Sequence, residues 1–351
     1  MSKICTNCDA EKPLDAYRLS KDASDGHRGD CRSCENRYSA DYRSTLKGCV
    51  TTLLASAKKH AATRKEKRTD QSGEFTLVRK DLFDIWENQK GLCFYSGIPL
   101  SLNGCWKISL ERLDQTQGYV KSNAVLCCLE LNTASQWSHK KIQEMLAILD
   151  EDVKSNDVNF DKKEGRKKAE KVQRQNIGNV LHYRCNVCKI FLTTDAFRKN
   201  MYSFCRQCEK NIKKLAYETP RASLQQLVSN AKSHTEQRIK RNNKHHDNTF
   251  DIDFDFLVAL YKKQKGLCAY SGLPLHFGIY NDINWTTSLE RIDACKGYVK
   301  TNVCLICFEF QATEISVKMN ECQGNMTGWN KEKFNLFKDT VVKKLSFEGK
   351  I

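Results

Sequence analysis

No uninterrupted apolar run in this chain approaches the ~18–20 residues that a membrane-spanning helix requires, so no such helix is expected. The N-terminal stretch Met1–Ala10 has no apolar centre and already carries Cys5 and Cys8, so a secretory leader is not expected. Acidic residues are in deficit: 42 Asp and Glu stand against 58 Lys and Arg, a formal charge of +16. That imbalance suits a polyanionic partner, with nucleic acid first. The expected setting is intracellular and reducing, nucleus or cytoplasm, where paired thiols read as metal ligands rather than disulfides.

What the chain does have is a long internal repeat. KGLCFYSGIPL (Lys90 to Leu100) returns as KGLCAYSGLPL (Lys265 to Leu275), and WKISLERLDQTQGYVKSN (Trp106 to Asn123) returns as WTTSLERIDACKGYVKTN (Trp285 to Asn302). A period of about 175–180 residues is too long for a solenoid unit and fits a whole domain. The expected organisation is a first repeat over 1–150, a charged linker over 151–179 and a second repeat over 180–347. Such a chain would work as a monomeric pseudo-dimer.

Each repeat reads as a cysteine module, a basic helix, a second helix ending at Gly91 or Gly266, a short strand and a closing helix. The fold class is therefore α+β with little sheet. The basic stretches lie at Lys58–Arg68, Lys162–Arg174 and Arg238–Lys244, and a helix end in the first or third can meet phosphate.

Cys5, Cys8, Cys31 and Cys34 form two Cys-x-x-Cys pairs, and Cys185, Cys188, Cys205 and Cys208 form two more. Each such turn aims two thiolates at one point, and two turns complete the tetrahedron that Zn²⁺ prefers. With all four positions filled by protein, these zincs would be structural. Cys93, Cys128, Cys268 and Cys307 recur in both copies without a full quartet, which favours buried packing over a third metal site. The same packing reading covers Cys105 and Cys295.

A second constellation carries different chemistry. Glu111 with Arg112, and Glu290 with Arg291, are followed by Asn132 or Gln311 at what reads as a helix start. Carboxylate and amide oxygens are hard ligands suited to Mg²⁺ or Mn²⁺, and an arginine can clamp phosphate. Alone, Glu-Arg reads as a surface ion pair and Tyr95 or Tyr270 as a core residue. Their recurrence in matching frames favours a site, with Asp114 and Asp293 as alternative ligands.

These motifs, GLCxYSG, ERxD, GY, N and the preceding Cys-x-x-Cys pairs, resemble the HNH or ββα-metal (His-Me finger) nucleases, and among them the PacI-like restriction endonucleases. The resemblance covers most of each repeat. It implies two tandem zinc-stapled ββα-metal finger domains with flanking helices. Glu111 and Glu290 would replace the metal-binding aspartate, with Asn132 and Gln311 at the metal-binding asparagine. Arg112 and Arg291 would stand where an ordinary member carries its histidine base, Tyr95 and Tyr270 would match the active-site tyrosine, and His246 an accessory histidine whose place in the first copy is held by Gln71.

Arginine cannot act as a base, so Tyr95 and Tyr270, with pKa lowered by metal and arginine, or His246, are expected to activate the nucleophile. The implied activity is metal-dependent, site-specific cleavage of double-stranded DNA, ahead of RNA, by two active sites in one chain. The competing expectation is a catalytically inactive, zinc-containing nucleic-acid-binding protein.

Overall fold

The computed structural model describes residues 1–67, 72–132, 137–151, 158–161, 170–217, 219–240, 247–278, 284–311 and 328–349. It is a mixed α and β structure in which, among the described residues, the named strands pair as small antiparallel ladders. Packing divides the chain into two units, one of Met1–Trp137 with Asp339–Ile351, the other of Ser138–Lys338.

In the first unit, β1 (Ser2–Ile4) pairs with β2 (Glu11–Pro13), and β3 (Tyr17–Leu19) pairs with β4 (His27–Cys31). The chain continues into α1 (Arg32–Arg43) and the long basic α2 (Leu46–Lys67). Helix α3 (Arg79–Asn88) buries Leu82 and Ile85, and it ends where Lys90 and Gly91 take positive φ of 52° and 67°. Glycine at the second of these removes the Cβ clash that the left-handed conformation imposes.

From α3 the chain makes the GLCFYSG turn and enters the hairpin of β5 (Ile108–Arg112) and β6 (Ala124–Cys128). Gln89 ties these three segments together. Its amide nitrogen donates to Leu92 O (2.8 Å) and Leu126 O (2.7 Å), while its oxygen accepts from Leu126 N (2.9 Å). Phe94 N also donates to Leu126 O at 3.0 Å, so the turn carrying Tyr95 is registered against β6. Lys344 of the C-terminal segment closes the same turn, its Nζ donating to Phe94 O at 2.7 Å.

The second unit opens with α4 (His139–Asp150), capped by Ser138, whose hydroxyl accepts from Lys141 N. A three-stranded ladder follows, β7 (Arg174–Ile177), β8 (Val180–Arg184) and β9 (Phe191–Thr193). The expected linker over 151–179 therefore ends in a strand, because Arg174–Ile177 finds a partner in β8. Helices α5 (Arg206–Tyr217), α6 (Pro220–Lys240) and α7 (Phe254–Lys263) lead to the hairpin of β10 (Thr287–Arg291) and β11 (Val303–Cys307). Helix α8 (Lys331–Phe347) closes the chain, its residues from Asp339 onward belonging to the first unit.

Gln264 repeats the staple of Gln89, bonding Leu267 O, Leu305 O and Leu305 N at 2.8, 2.8 and 2.9 Å. The two hairpins share one register, with Glu111 opposite Val125 and Glu290 opposite Cys304. Helix α4, which follows the first repeat in sequence, packs in the second unit: Lys141 Nζ meets Glu309 Oε1 at 2.9 Å with both side chains buried, and it lies 5.2 Å from the Trp285 ring.

Candidate metal centres and the duplicated hairpin face

The four thiols of Cys5, Cys8, Cys31 and Cys34 lie within 4.8 Å of one another, and so do those of Cys185, Cys188, Cys205 and Cys208. A tetrahedron with Zn–S arms of 2.3 Å needs S–S edges of roughly 3.8 Å. The Cys8 to Cys31 separation of 4.0 Å is close to that. In both quartets the first pair sits on a knuckle: Cys5 N donates to Ala10 O and Cys185 N to Ile190 O. The residue after the second cysteine, Asp9 or Lys189, takes a positive φ of 53° or 62° to close it.

The second pair sits at a helix start, with Cys31 capping α1 and Cys34 in its first turn, and Cys205 and Cys208 placed alike before and within α5. Backbone N–H groups aim at sulfur, as in Cys31 N to Cys5 Sγ at 3.2 Å and Cys205 N to Cys185 Sγ at 3.3 Å. Such donors and the helix N-terminus favour thiolate.

The thiols respond unequally. Ser33 and Lys12 bring Cys31 down to about 5, while burial, with Cys31 beside it, pushes Cys34 up to about 12. Four crowded thiols cannot all ionise unaided, and a divalent cation at their centre relieves that repulsion. The donor set therefore fits Zn²⁺ in both places. Among the described residues no further group of three or more close Cys, His, Asp or Glu ligands occurs. Cys93 and Cys128 are buried together, as are Cys268 and Cys307, which fits packing. Cys105 is exposed and Cys295 is disulfide-bonded, so neither follows the packing expectation.

The hairpin separates residues that the sequence placed together. Alternate residues of a strand point to opposite faces, and Glu111 and Arg112 are neighbours on β5. Glu111 shares its face with Ser109 and lies near Tyr95. Burial pushes the Glu111 carboxyl up, opposed by a bond from Arg112 N at 3.0 Å.

Tyr95 is 3% exposed, and burial followed by the Glu111 charge pushes its phenol up. Tyr270 is pushed up likewise by burial, Cys304 and Glu290. Of the lowering expected from metal and arginine, the arginine part does not act on either phenol, because Arg112 faces away. Its Nη1 donates to Gln115 O (2.6 Å) and Gln117 O (2.8 Å), and its guanidinium lies 5.3 Å from the Tyr119 ring. Arg291 does the same with Ala294 O, Lys296 O and Tyr298.

Two further arginines share these rings. Arg64 of α2 lies 5.0 Å from the Tyr119 ring and Arg238 of α6 lies 5.2 Å from that of Tyr298. The sequence reading placed both on exposed helix ends facing phosphate. Instead they pack on tyrosine, Arg238 being buried, while Lys58 and Lys59 of α2 remain exposed. The GY motif supplies that ring, and its glycine is required by close approach: a Cβ on Gly118 would collide with Glu74 O, and one on Gly297 with Thr249 O.

Asn132 and Gln311, expected to open helices, are followed by residues outside the described ones. Each closes a short 3-10 turn, Leu129–Leu131 or Phe308–Phe310, and reaches back to the strand. Asn132 Nδ2 donates to Ser109 Oγ (2.8 Å) and Leu110 O (3.0 Å). Gln311 Nε2 donates to Leu289 O (3.2 Å), and its Oε1 accepts from Ser288 Oγ (2.6 Å).

Asp114 and Asp293, considered as alternative ligands, hold their own loops: Asp114 accepts from Thr116 and Gln117, and Asp293 from Cys295 N. Asn123 and Asn302 brace the same loops through Asp114 O and Gly118 O, or Asp293 O and Gly297 O. His246 and Gln71 lie outside the described residues.

Sequence reasoning missed Glu130 and Glu309. Both are buried and accept from the backbone N–H of Trp106 and Trp285 at 2.9 Å. Those tryptophans have positive φ, 58° and 65°, a strained setting for a bulky residue that the buried carboxylate holds in place. The signal was present, since LEL and FEF follow each β strand at the same offset.

Compared with known proteins, the chain matches no family model, no curated protein and no solved structure.

Proposed function

We propose that this protein is a metal-dependent DNA endonuclease of HNH type, built as a pseudo-dimer of two zinc-stapled ββα-metal units. The observation that carries this reading is the face of the first hairpin. There a partly buried carboxyl at Glu111 lies near the Tyr95 phenol, beside an amide anchored to the same strand by Asn132. Burial raises the Glu111 carboxyl despite the opposing charge and backbone bond of Arg112, and a desolvated carboxyl in such a setting is a mark of a functional site.

Hydrolysis adds water across a P–O bond: the attacking water loses a proton and the departing oxygen gains one. Glu111 and Asn132 Oδ1 would hold a hard cation, and Mg²⁺ commonly uses one or two carboxylates with water and phosphate completing its shell. When bound, such an ion supplies Lewis acidity to the scissile phosphate. Burial and the Glu111 charge raise the Tyr95 phenol, which favours a hydrogen-bond donor toward the phosphate or departing oxygen over a base. Arg112 holds the hairpin loop through two carbonyls and so positions Glu111. In the first copy the attacking water releases its proton to solvent; His246, the base expected in the second copy, lies outside the described residues. The charge of +16 supports a DNA partner, and Lys58 and Lys59 are suitable phosphate contacts.

The test is conversion of supercoiled plasmid in Mg²⁺ or Mn²⁺, comparing wild type with the double variant Glu111→Ala, Glu290→Ala. Cleavage by wild type and loss of at least 100-fold in the variant are expected. Retained binding with no cleavage by either protein would establish the catalytically inactive, zinc-containing binder instead.

A further inference from the structure

The two hairpin faces are equal in register and unequal in chemistry. A backbone carbonyl can only accept, so the bonds to Leu110 O and Leu289 O identify the nitrogen of each amide. In copy one that nitrogen also takes Ser109 Oγ, and Asn132 Oδ1 accepts no hydrogen bond among the described residues. In copy two the longer Gln311 lies along the strand and its Oε1 is consumed by the Ser288 hydroxyl. Among the described residues, the amide oxygen that accepts no hydrogen bond is therefore the one in copy one.

Two further differences point the same way. On β5 the residues of this face, Ser109 and Glu111, are partly open to solvent, whereas every residue of β10 is buried, Ser288 and Glu290 included. Opposite Glu290 stands Cys304, hydrogen-bonded to Tyr270, where copy one has Val125 opposite Glu111. The residue opposite the site glutamate is thus a thiol in copy two and an aliphatic side chain in copy one. A hard cation brings several waters and requires oxygen donors with room around them, and a soft thiol is a poor substitute.

We infer that copy one alone forms the hard-cation centre, with Glu111 and Asn132 as its protein ligands, and that copy two is a closed, cation-free counterpart. This rests on the nuclease reading and refines it. One centre per chain cuts one strand per encounter, so a double-strand break needs a second chain or a second visit.

The experiment is Mn²⁺ binding to the zinc-loaded full chain, read by the loss of the electron paramagnetic resonance signal of free Mn²⁺. Zinc content and far-UV circular dichroism serve as checks on folding. One bound ion per chain is expected for wild type, unchanged in Glu290→Gln and absent in Glu111→Gln, with Asn132→Leu as a second variant that also loses it. Plasmid should pass through a nicked circle, its linear form appearing only later. Two ions in wild type, or one ion lost in Glu290→Gln and kept in Glu111→Gln, overturns the inference while leaving the nuclease reading intact. No bound ion in wild type overturns both.

Discussion

The two hairpins match residue for residue in pairing and are stapled to their helices by the same glutamine, at Gln89 and Gln264. Their site faces nevertheless diverge: an added methylene at Gln311 and a thiol at Cys304 redirect the hydrogen bonds around Glu290. Duplication preserved what positions the site more strictly than the chemistry it presents. Backbone pairing, glycine approach and the buried Glu–Trp contact cannot drift without unfolding the hairpin. A polar face can, provided that each group finds a new partner.

The two cysteine quartets, each fit for Zn²⁺, offer the comparison with the largest expected effect. In the first, Lys12 Nζ contacts Cys31 Sγ at 3.1 Å and the apolar support is Tyr17. In the second, Tyr183 stacks on Tyr202 with ring centroids 4.0 Å apart, and Phe197 packs against both. Cys5→Ser and Cys185→Ser should each reduce bound zinc from two ions to one per chain. Hydrogen exchange should then show protection lost throughout residues 1–43 in the first case. In the second, the β8–β9 strands and their aromatic stack should keep partial protection. Equal loss in both modules would mean that the aromatic stack contributes nothing without metal.

The next effect concerns α4. Lys141 is buried against Glu309, whose carboxylate also holds Trp285 N. Removing one partner of a buried pair leaves the other charge unpaired, typically at a cost of about 3–5 kcal/mol. Lys141→Met should therefore lower urea stability of the unit Ser138–Lys338 by about 3 kcal/mol, while Lys140→Met, on the exposed face, should change it by less than about 0.5 kcal/mol. Similar small losses from both would show that the carboxylate is satisfied by the tryptophan N–H alone.

The cysteine quartets, the duplication and the helix ends at Gly91 and Gly266 were legible because each depends on local spacing. The paired strands were legible as one short strand per copy. Its partner, AVLCC or VCLIC, is a buried run that alternation does not reveal. The site was legible as residue types and not as geometry. Adjacent residues in a sequence look like neighbours, yet the pleat sends Glu111 and Arg112 to opposite faces. Arg64 and Arg238 read as solvent-facing charge because a sequence does not show that Tyr119 and Tyr298 offer them a ring. The boundary between units was also hidden, since α4 follows one repeat in the chain and packs with the other.

The smallest effect, and the one that most sharpens the comparison of the two faces, is the pH dependence of Glu111→Gln. Burial raises the Glu111 carboxyl above its unfolded value. The folded state then binds this proton more tightly than the unfolded chain does. Its contribution is fully present below the unfolded pKa, near 4.3 for a free glutamate, and is lost as pH rises through the folded value. Above that value the desolvated carboxylate weakens the fold, so the isosteric amide should be as stable as wild type near pH 4 and more stable at pH 7–8 without divalent cation. Mn²⁺ should reverse the order, because a bound cation stabilises only the protein that binds it. Urea midpoints measured at both pH values, with and without Mn²⁺, test this. A variant less stable than wild type in cation-free buffer at pH 8 would mean that the carboxylate is a structural partner rather than a ligand held ready at a cost in stability.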